Sequence, residues 1–434
     1  MPEPLNIALI GCGTVGGGVA KLLLEQPDRL AARAGRPLVL RRVVVRDPAK
    51  PRTVPIPRNL LTTDLREVLD DPQIEVAAEL VGGTGFARRA ALDCLAAGKH
   101  VVTANKALLA CHGEELFAKA QHVGRAVAFE ASVGGGIPII AALTQGLAAN
   151  QIVALQGILS GTCNFILTRM TEQGKSYAAA LAEAQRLGYA ATDPTLDVNG
   201  TDAVHKLTIL ARIAFGVAVS PDAVTRRGIA DLHEMDIRYG GELGYTVKLL
   251  AEAWLHERQL ALHVSPVLLR RQTPLALVRG PYNAIFAVGD AVGETLYYGQ
   301  GAGQMPTASA AVADLIDLAV GRAQQTFKTL RLESSGKNSI KLRPTTTMRS
   351  RFYLRAMVDD RPGVLAAVAG ALANHQVSIA SVSQPEAPDD HEGDSVPLVI
   401  LTHTIATGDF QAAFDEISRL PCVHPPGTYY PVGD

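Results

Sequence analysis

Short apolar runs alternate with helically spaced segments through the first third of the chain. LNIALI (Leu5–Ile10) has the continuous hydrophobicity of a strand buried on both faces, and GGVAKLLLEQ beyond it has helical periodicity. LVLRRVVV is the next strand, ending at Arg46-Asp47. EVAAELVGG (Glu75–Gly83), a helix over about 86–97, HVVTANK (His100–Lys106), a helix from about Gly113 and AVAFEAS (Ala126–Ser132) continue the alternation. Strands and helices in this order predict βαβ units and an α/β, doubly wound parallel sheet over residues 1–135.

From 136 to 331 the alternation is lost. A helix opens at about Gly200 or Thr201 and runs through KLTILARIAFG. Helical spacing puts His205, Thr208 and Arg212 on a polar row and Leu207, Leu210 and Ala214 on an apolar one. Asp202 and Lys206 share a row with Ile209 and Ile213, which points both charges inward; the bland reading is an ordinary solvated pair four residues apart. A second long helix containing GELGYTVKLLAEAWL, then strands QLALHVSPVLL and NAIFAVG, complete an expected α+β region with a mixed sheet and helices on one side. The polar stretch 332–350 (LESSGKNSIKLRPTTTMRS) reads as a linker. Residues 351–434 follow the order βαββαβ, with an acidic loop APDDHEGDSV inside it, and make a ferredoxin-like unit.

Composition narrows the function. The 434 residues are 47% hydrophobic and 19% charged with a formal net charge of -1, a globular balance sufficient for two or three domains. That balance gives no bulk electrostatic attraction to nucleic acid or an anionic membrane. No run of about eighteen apolar residues is present to span a bilayer, and MPEPLNIALIGCG enters a strand without a leader-like segment. The five cysteines are scattered, without paired metal-ligand spacing. A reduced, cytoplasmic setting is expected, with no disulfide framework and no zinc site.

The candidate chemistry begins at GCGTVG, a GxGxxG motif formed by Gly11, Gly13, Thr14, Val15 and Gly16 with Cys12 between. A strand precedes it and a helix follows, the setting of a Rossmann-type dinucleotide site: a tight turn, close backbone approach to the pyrophosphate, and close helix–strand packing. The helix start offers amide donors to the phosphates. At the end of the next strand an acid would bind the ribose of NAD and an arginine the 2′-phosphate of NADP. Arg46 comes first here, which favours NADP and leaves NAD open. Lys106 and Glu130 fall at carboxyl ends of strands, where open α/β sheets bind ligands. Glu130 with the glycine turn ASVGGGIPII is either a hard-oxygen set for Na⁺ or a similar cation, or a carboxylate satisfied by the amides of its own glycine turn. Gly301-Ala302-Gly303 precede a helix expected to be capped by Thr and Ser, either facing cofactor phosphates or serving as a cap.

These motifs, in this order, resemble the homoserine dehydrogenase family, in its monofunctional bacterial form with a C-terminal ACT domain. GCGTVG at 11, TANK at 103, EASVGGGIPII at 130, SGTCNFILT at 160, GYAATDPTLDVNGTDAVHK at 188, GAGQMPTASA at 301 and DRPGVL at 360 carry the resemblance over essentially the whole chain. It implies that Lys206 transfers a proton and that Lys106 is a second catalytic lysine that also contacts cofactor. Asp202 would belong to the homoserine site, Gly188 and Gly303 would line the cofactor, and Glu130, Val133, Gly135 and Ile137 would hold Na⁺. The region 136–331 would be catalytic and dimerising, giving a homodimer or homotetramer, and the ACT domain at 351–434 would take threonine as effector. Truncation near residue 340 is then expected to leave an active dehydrogenase blind to threonine.

One position departs from the family. Members read GYAE at the head of the catalytic stretch, the Glu binding the substrate amino group; here Ala191 stands there, followed by Thr192. Losing a charge-assisted hydrogen bond costs roughly 1.5–3 kcal/mol of affinity. The implied reaction is reversible hydride transfer between homoserine and aspartate 4-semialdehyde. Two rivals stand beside it: an aldehyde dehydrogenase acylated on Cys163, which lacks a sequence-adjacent His base, and a weakened dehydrogenase body serving as an amino-acid sensor through its ACT domain.

Overall fold

The computed structural model describes residues 2–330, 340–384 and 395–433; residues 332–339 of the expected linker and most of the acidic loop lie outside these. Two compact units share the chain, each assembled from three segments. The first comprises Met1–Gly161, Asp202–Val224 and Pro281–Ile340; the second comprises Thr162–Thr201, Thr225–Gly280 and Lys341–Asp434.

The first unit is built on a six-stranded parallel sheet of β1 (Leu5–Ile10), β2 (Leu38–Val44), β3 (Leu61–Thr62), β4 (Val76–Glu79), β5 (His100–Thr103) and β6 (Val127–Ala128). The spatial order is β3-β2-β1-β4-β5-β6. Strand order therefore reverses between β1 and β4, so the crevice beyond their carboxyl ends is where a ligand is expected. Every residue of β4 and β5 is buried, which is why these strands read as unbroken rather than alternating patterns. Only Val127–Ala128 of the expected strand AVAFEAS pairs; Glu130–Ser132 form a 3₁₀ turn. The helix expected from Gly113 begins earlier, at Lys106. Strands Ile152–Ile158, Tyr282–Gly289 and Gly293–Gln300 add an antiparallel sheet to this unit.

The second unit corrects one expectation. TVKLLAEAWL is not helical: the helix is Glu234–Glu242, and Tyr245–His256 is a strand paired residue for residue with Gln259–Arg270. From Val247 to Ala253 the strand is buried throughout, so it lacks polar alternation, and packing overrides the helical preference of its Leu, Ala and Glu residues. The C-terminal βαββαβ fold places its strands in the order Val423–Gly433, Arg349–Asp359, Ser395–Thr402, Ile379–Ser383, all antiparallel. Helices Val364–Asn374 and Thr407–Ile417 pack on it, and Phe352, Leu354, Leu372, Ile400 and Phe410 lie in the shared core.

This C-terminal fold is not a separate appendage to the second unit. Val432 and Gly433 pair in parallel with Leu268 and Leu269, so its sheet continues the Tyr245–Arg270 hairpin. Lys341–Leu342, inside the stretch expected to be a linker, pairs with Gln259–Leu260, and Arg349 already begins a strand. Arg355 Nε donates to Asp236 Oδ1 at 2.6 Å and Tyr353 Oη donates to the same oxygen at 3.0 Å. Both partners of that ion pair are buried.

Candidate active site

The dinucleotide loop lies where strand order reverses. Gly11 has φ +98°, and a Cβ there would lie 2.7 Å from Val81 Cγ1. At Gly16 a Cβ would lie 2.2 Å from Gly11 O, so helix Thr14–Glu25 can start this close to β1 only with glycine. Gly13 differs: nothing lies within 4 Å of a Cβ built on it, so its bare face opens onto space where a pyrophosphate would lie. These residues fit a dinucleotide. Gly303 (φ +126°) is the N-cap of helix Gln304–Ala319, without the side-chain cap expected from Thr or Ser. That helix packs tightly on Thr14–Glu25, since a Cβ at Gly18 would lie 2.8 Å from Ala308 Cβ. Arg46 is exposed just past β2. Arg52 closes the loop beyond it, donating to the carbonyls of Asp47 at 2.6 Å and Lys50 at 2.9 Å.

Lys106, Asp202 and Lys206 come together in the first unit. Asp202 Oδ2 is 2.7 Å from Lys206 Nζ and Oδ1 is 3.0 Å from Lys106 Nζ. Asp202 and Lys206 are 8% and 7% exposed, so the row they share with Ile209 does point inward. The Lys106 side chain is 41% exposed, which leaves its ammonium partly in solvent. Burial alone would raise the Asp202 carboxyl; the Lys206 and Lys106 ammoniums overcome it and hold it at about 2. Lys206 Nζ also donates to Leu159 O at 2.6 Å, and that carbonyl accepts Asn283 Nδ2 at 3.0 Å. Two hydrogens of the ammonium are thus committed and one remains.

Lys106 owes its place to a network at the ends of β4 and β5. Glu79 accepts Thr103 Oγ1 at 2.7 Å and the Val81 amide at 3.0 Å. Thr103 Oγ1 accepts the Asn105 amide at 3.0 Å, and Asn105 caps the helix by accepting Leu108 N at 3.1 Å. Neither Glu79 nor Asn283 stood out in the sequence. An acid inside the apolar run VAAE was a signal for Glu79; Asn283 offered none, because its partner lies far along the chain.

Glu130 is held by the helical turn after the glycines. Its Oε1 accepts Ile140 N at 2.9 Å and its Oε2 accepts Ala141 N at 2.8 Å. Burial pushes its carboxyl up to about 7 against these two amides. Asp314 accepts Glu130 N at 2.9 Å, and burial, then the Glu130 charge, raise it well above the usual carboxylate range. Gly134 and Gly135 turn with φ of 76° and 55°, and a Cβ on Gly135 would lie 2.6 Å from Gly301 O. Both carboxylate oxygens are thus satisfied by main-chain amides, and each keeps a lone pair of the hard-oxygen kind that a monovalent cation would take. Ile137 O already accepts Ile139 N at 2.8 Å.

Gly188 and Ala191 belong to the second unit, in the loop from Gly188 to Gly200. Ala191 is exposed, and its carbonyl accepts Gln185 Nε2 at 3.2 Å. Asp193 Oδ1 accepts Thr195 N at 3.1 Å and Thr195 Oγ1 at 2.6 Å in a local turn. Thr162 Oγ1 donates to Tyr189 O at 2.6 Å and lies 3.4 Å from Asp197 Oδ2. Cys163 is fully buried with its Sγ 3.2 Å from Asp197 O, the setting of a structural thiol rather than an accessible nucleophile. Among the described residues no cluster of three His, Cys, Asp or Glu side chains suits a metal ion, and no helix is long and apolar enough to cross a membrane.

Family models match in three places: "Homoserine dehydrogenase, NAD binding domain" at residues 11–130, "Homoserine dehydrogenase" at 138–316 and "ACT domain" at 352–422. The chain is 42% identical to a homoserine dehydrogenase of Pseudomonas aeruginosa, covering 98% of each sequence. It is 37% identical to one of Bacillus subtilis, covering 97% of this chain and 96% of that one. A crystal structure of a homoserine dehydrogenase from Thiobacillus denitrificans superposes with a TM-score of 0.90 at 40% identity, covering 100% of this chain and 99% of that one.

Proposed function

The chain belongs to the homoserine dehydrogenase family, nicotinamide-dependent oxidoreductases acting on a CH–OH group, and we propose that Lys206, held by Asp202 and aided by Lys106, carries its proton chemistry. The reaction interconverts L-homoserine and L-aspartate 4-semialdehyde. When bound, the nicotinamide supplies or accepts the hydride. The chain itself must stabilise the charge that builds on the carbonyl oxygen and deliver a proton there. The observation that carries this reading is the Lys206 ammonium, buried with one hydrogen left after Asp202 Oδ2 and Leu159 O. Asp202 aims that nitrogen and offsets its charge; in the oxidative direction the same nitrogen, as the neutral amine left once its proton has gone to solvent, takes the hydroxyl proton. Lys106, partly exposed, adds a second positive charge at Asp202 Oδ1.

The finer assignments belong to the same reading. Gly11, Gly13, Thr14, Val15, Gly16 and Gly303 line the cofactor, and Arg46 grips the 2′-phosphate of NADP in preference to NAD. Glu130 with the carbonyls of Val133, Gly135 and Ile137 holds Na⁺, which braces the turn against Gly301. The enzyme works in the cytoplasm as a homodimer or homotetramer, and its ACT domain responds to threonine.

Absorbance of NADPH in the presence of aspartate 4-semialdehyde tests the reading, with NADH as comparison. Turnover with both substrates, faster at low NADPH than at low NADH, is expected. A folded protein that binds NADPH yet never oxidises it would instead fit the amino-acid sensor.

A further inference from the structure

Arg227 lies outside every motif described above, just beyond the short strand Thr225–Arg226. Its amide donates to Val264 O at 2.8 Å, and the two residues after it face the loop 188–200. Ile229 N donates to Val198 O at 2.9 Å, and a Cβ on Gly228 would lie 2.1 Å from that oxygen and 2.6 Å from Asn199 Cα. Only glycine allows this approach. Asn199 Oδ1 in turn accepts Thr201 N at 2.9 Å, at the start of the helix that carries Asp202 and Lys206.

The side chain of Arg227 faces the C-terminal strand Val423–Gly433. It donates to Tyr429 O at 2.6 Å and to Thr428 Oγ1 at 3.0 Å, and its guanidinium lies 4.6 Å from the centre of the Tyr430 ring. Two directed hydrogen bonds and an aromatic face fix a guanidinium in orientation as well as place, which a lysine does not reproduce. The segment 227–229 therefore connects the last strand of the C-terminal fold, through the Arg227 side chain, with the end of the loop that precedes Asp202, through Gly228 and Ile229.

We propose that Arg227 is a positioning residue: from strand Val423–Gly433, through Gly228 and Ile229, it sets the loop Gly188–Gly200 and with it the affinity for the amino-acid substrate. The proposal rests on the reading of that loop as part of the substrate site. It also supplies a route by which a ligand on the C-terminal fold would alter substrate affinity without touching the reacting atoms.

Arg227→Ala, Arg227→Lys and Thr428→Val in the full-length protein test it, using initial rates with homoserine and NADP⁺ and backbone hydrogen exchange. Arg227→Ala should raise KM for homoserine roughly fivefold or more while KM for NADP⁺ stays within about twofold, the range in which a residue remote from a ligand modulates its binding. Arg227→Lys should not rescue, and Thr428→Val should act in the same direction but less. Amides of 188–200 should exchange faster, and those of Leu5–Ile10 unchanged. Equal changes in both KM values, or unchanged exchange in the loop, would reduce Arg227 to a brace of the fold and overturn the proposal. If Arg227→Ala does not fold, Thr428→Val decides by the same two readouts. A wild-type protein inactive on homoserine would overturn the functional reading instead, and loop exchange then judges the contact by itself.

Discussion

Asp202 is a carboxylate shared by two ammoniums, and its replacement tests the cluster one charge at a time. Asp202→Asn removes the group that aims Lys206, and kcat should fall about 10²-fold, the usual scale for disrupted acid–base catalysis. The same substitution has a pH signature. The folded carboxyl, at about 2, lies below its unfolded value of about 3.9, so its stabilisation is complete above that value and lost as pH falls through the folded one. The stability gap between wild type and Asp202→Asn, read by urea unfolding, should be flat above about pH 4 and close towards about pH 2. A gap that instead widens with acid would contradict the assignment. Ala191 makes the opposite kind of test, since it asks for a group to be added. Asp193 turns its Oδ1 back onto Thr195 N and Oγ1, which engages one of its two oxygens locally. Ala191→Glu should lower KM for homoserine roughly tenfold with kcat changing less, near the lower end of one charged hydrogen bond. An unchanged KM would mean that another group already receives the substrate ammonium.

Helix Thr14–Glu25 serves two purposes with different glycines. Gly13 faces open space, so Gly13→Ala should leave stability nearly unchanged and weaken NADPH binding in a fluorescence titration. Gly18 faces Ala308 and the Gln304 carbonyl of the neighbouring helix, neither of which can move cheaply. Gly18→Ala should therefore lower unfolding stability by about 1–3 kcal/mol, as overpacking does. If Gly13→Ala proves the more destabilising of the two, the open cradle is misassigned. The first glycines were legible in sequence because turn and helix start are local: strand, GxGxxG and helix follow within a few residues. Gly18 was not, since its partner helix begins nearly three hundred residues later. The row Asp202, Lys206, Ile209 was legible for the same local reason, whereas Leu159 O and Asn283, which complete the lysine's setting, are long-range partners. Tyr245–His256 imitates a helix because Lys248 and Glu252 recur four residues apart among Leu and Ala, while the strand buries both faces and so shows no period-two alternation.

The C-terminal fold was legible as a βαββαβ unit, but its attachment was not. Parallel pairing of Val432 with Leu268 joins residues that no local pattern connects, and Asp236 meets Arg355 across a similar span. Truncation near residue 340 therefore should not leave an intact, active remainder: it removes the strand beside Gln259–Arg270 and the cation that neutralises Asp236. Loss of a sharp thermal transition in the truncated chain is expected, and Arg355→Met in the full chain should cost about 3–5 kcal/mol by urea unfolding, as unpairing a buried charge does. A truncated chain with a sharp transition and full turnover would show that the two folds are energetically independent.

The whole account turns on one buried ammonium, and kcat for homoserine oxidation by Lys206→Ala, measured beside NADP⁺ affinity, tests it most directly. A fall in kcat of about 10²-fold or more with cofactor affinity retained is predicted; near-full turnover would contradict the assignment of Lys206 as the proton-transferring group.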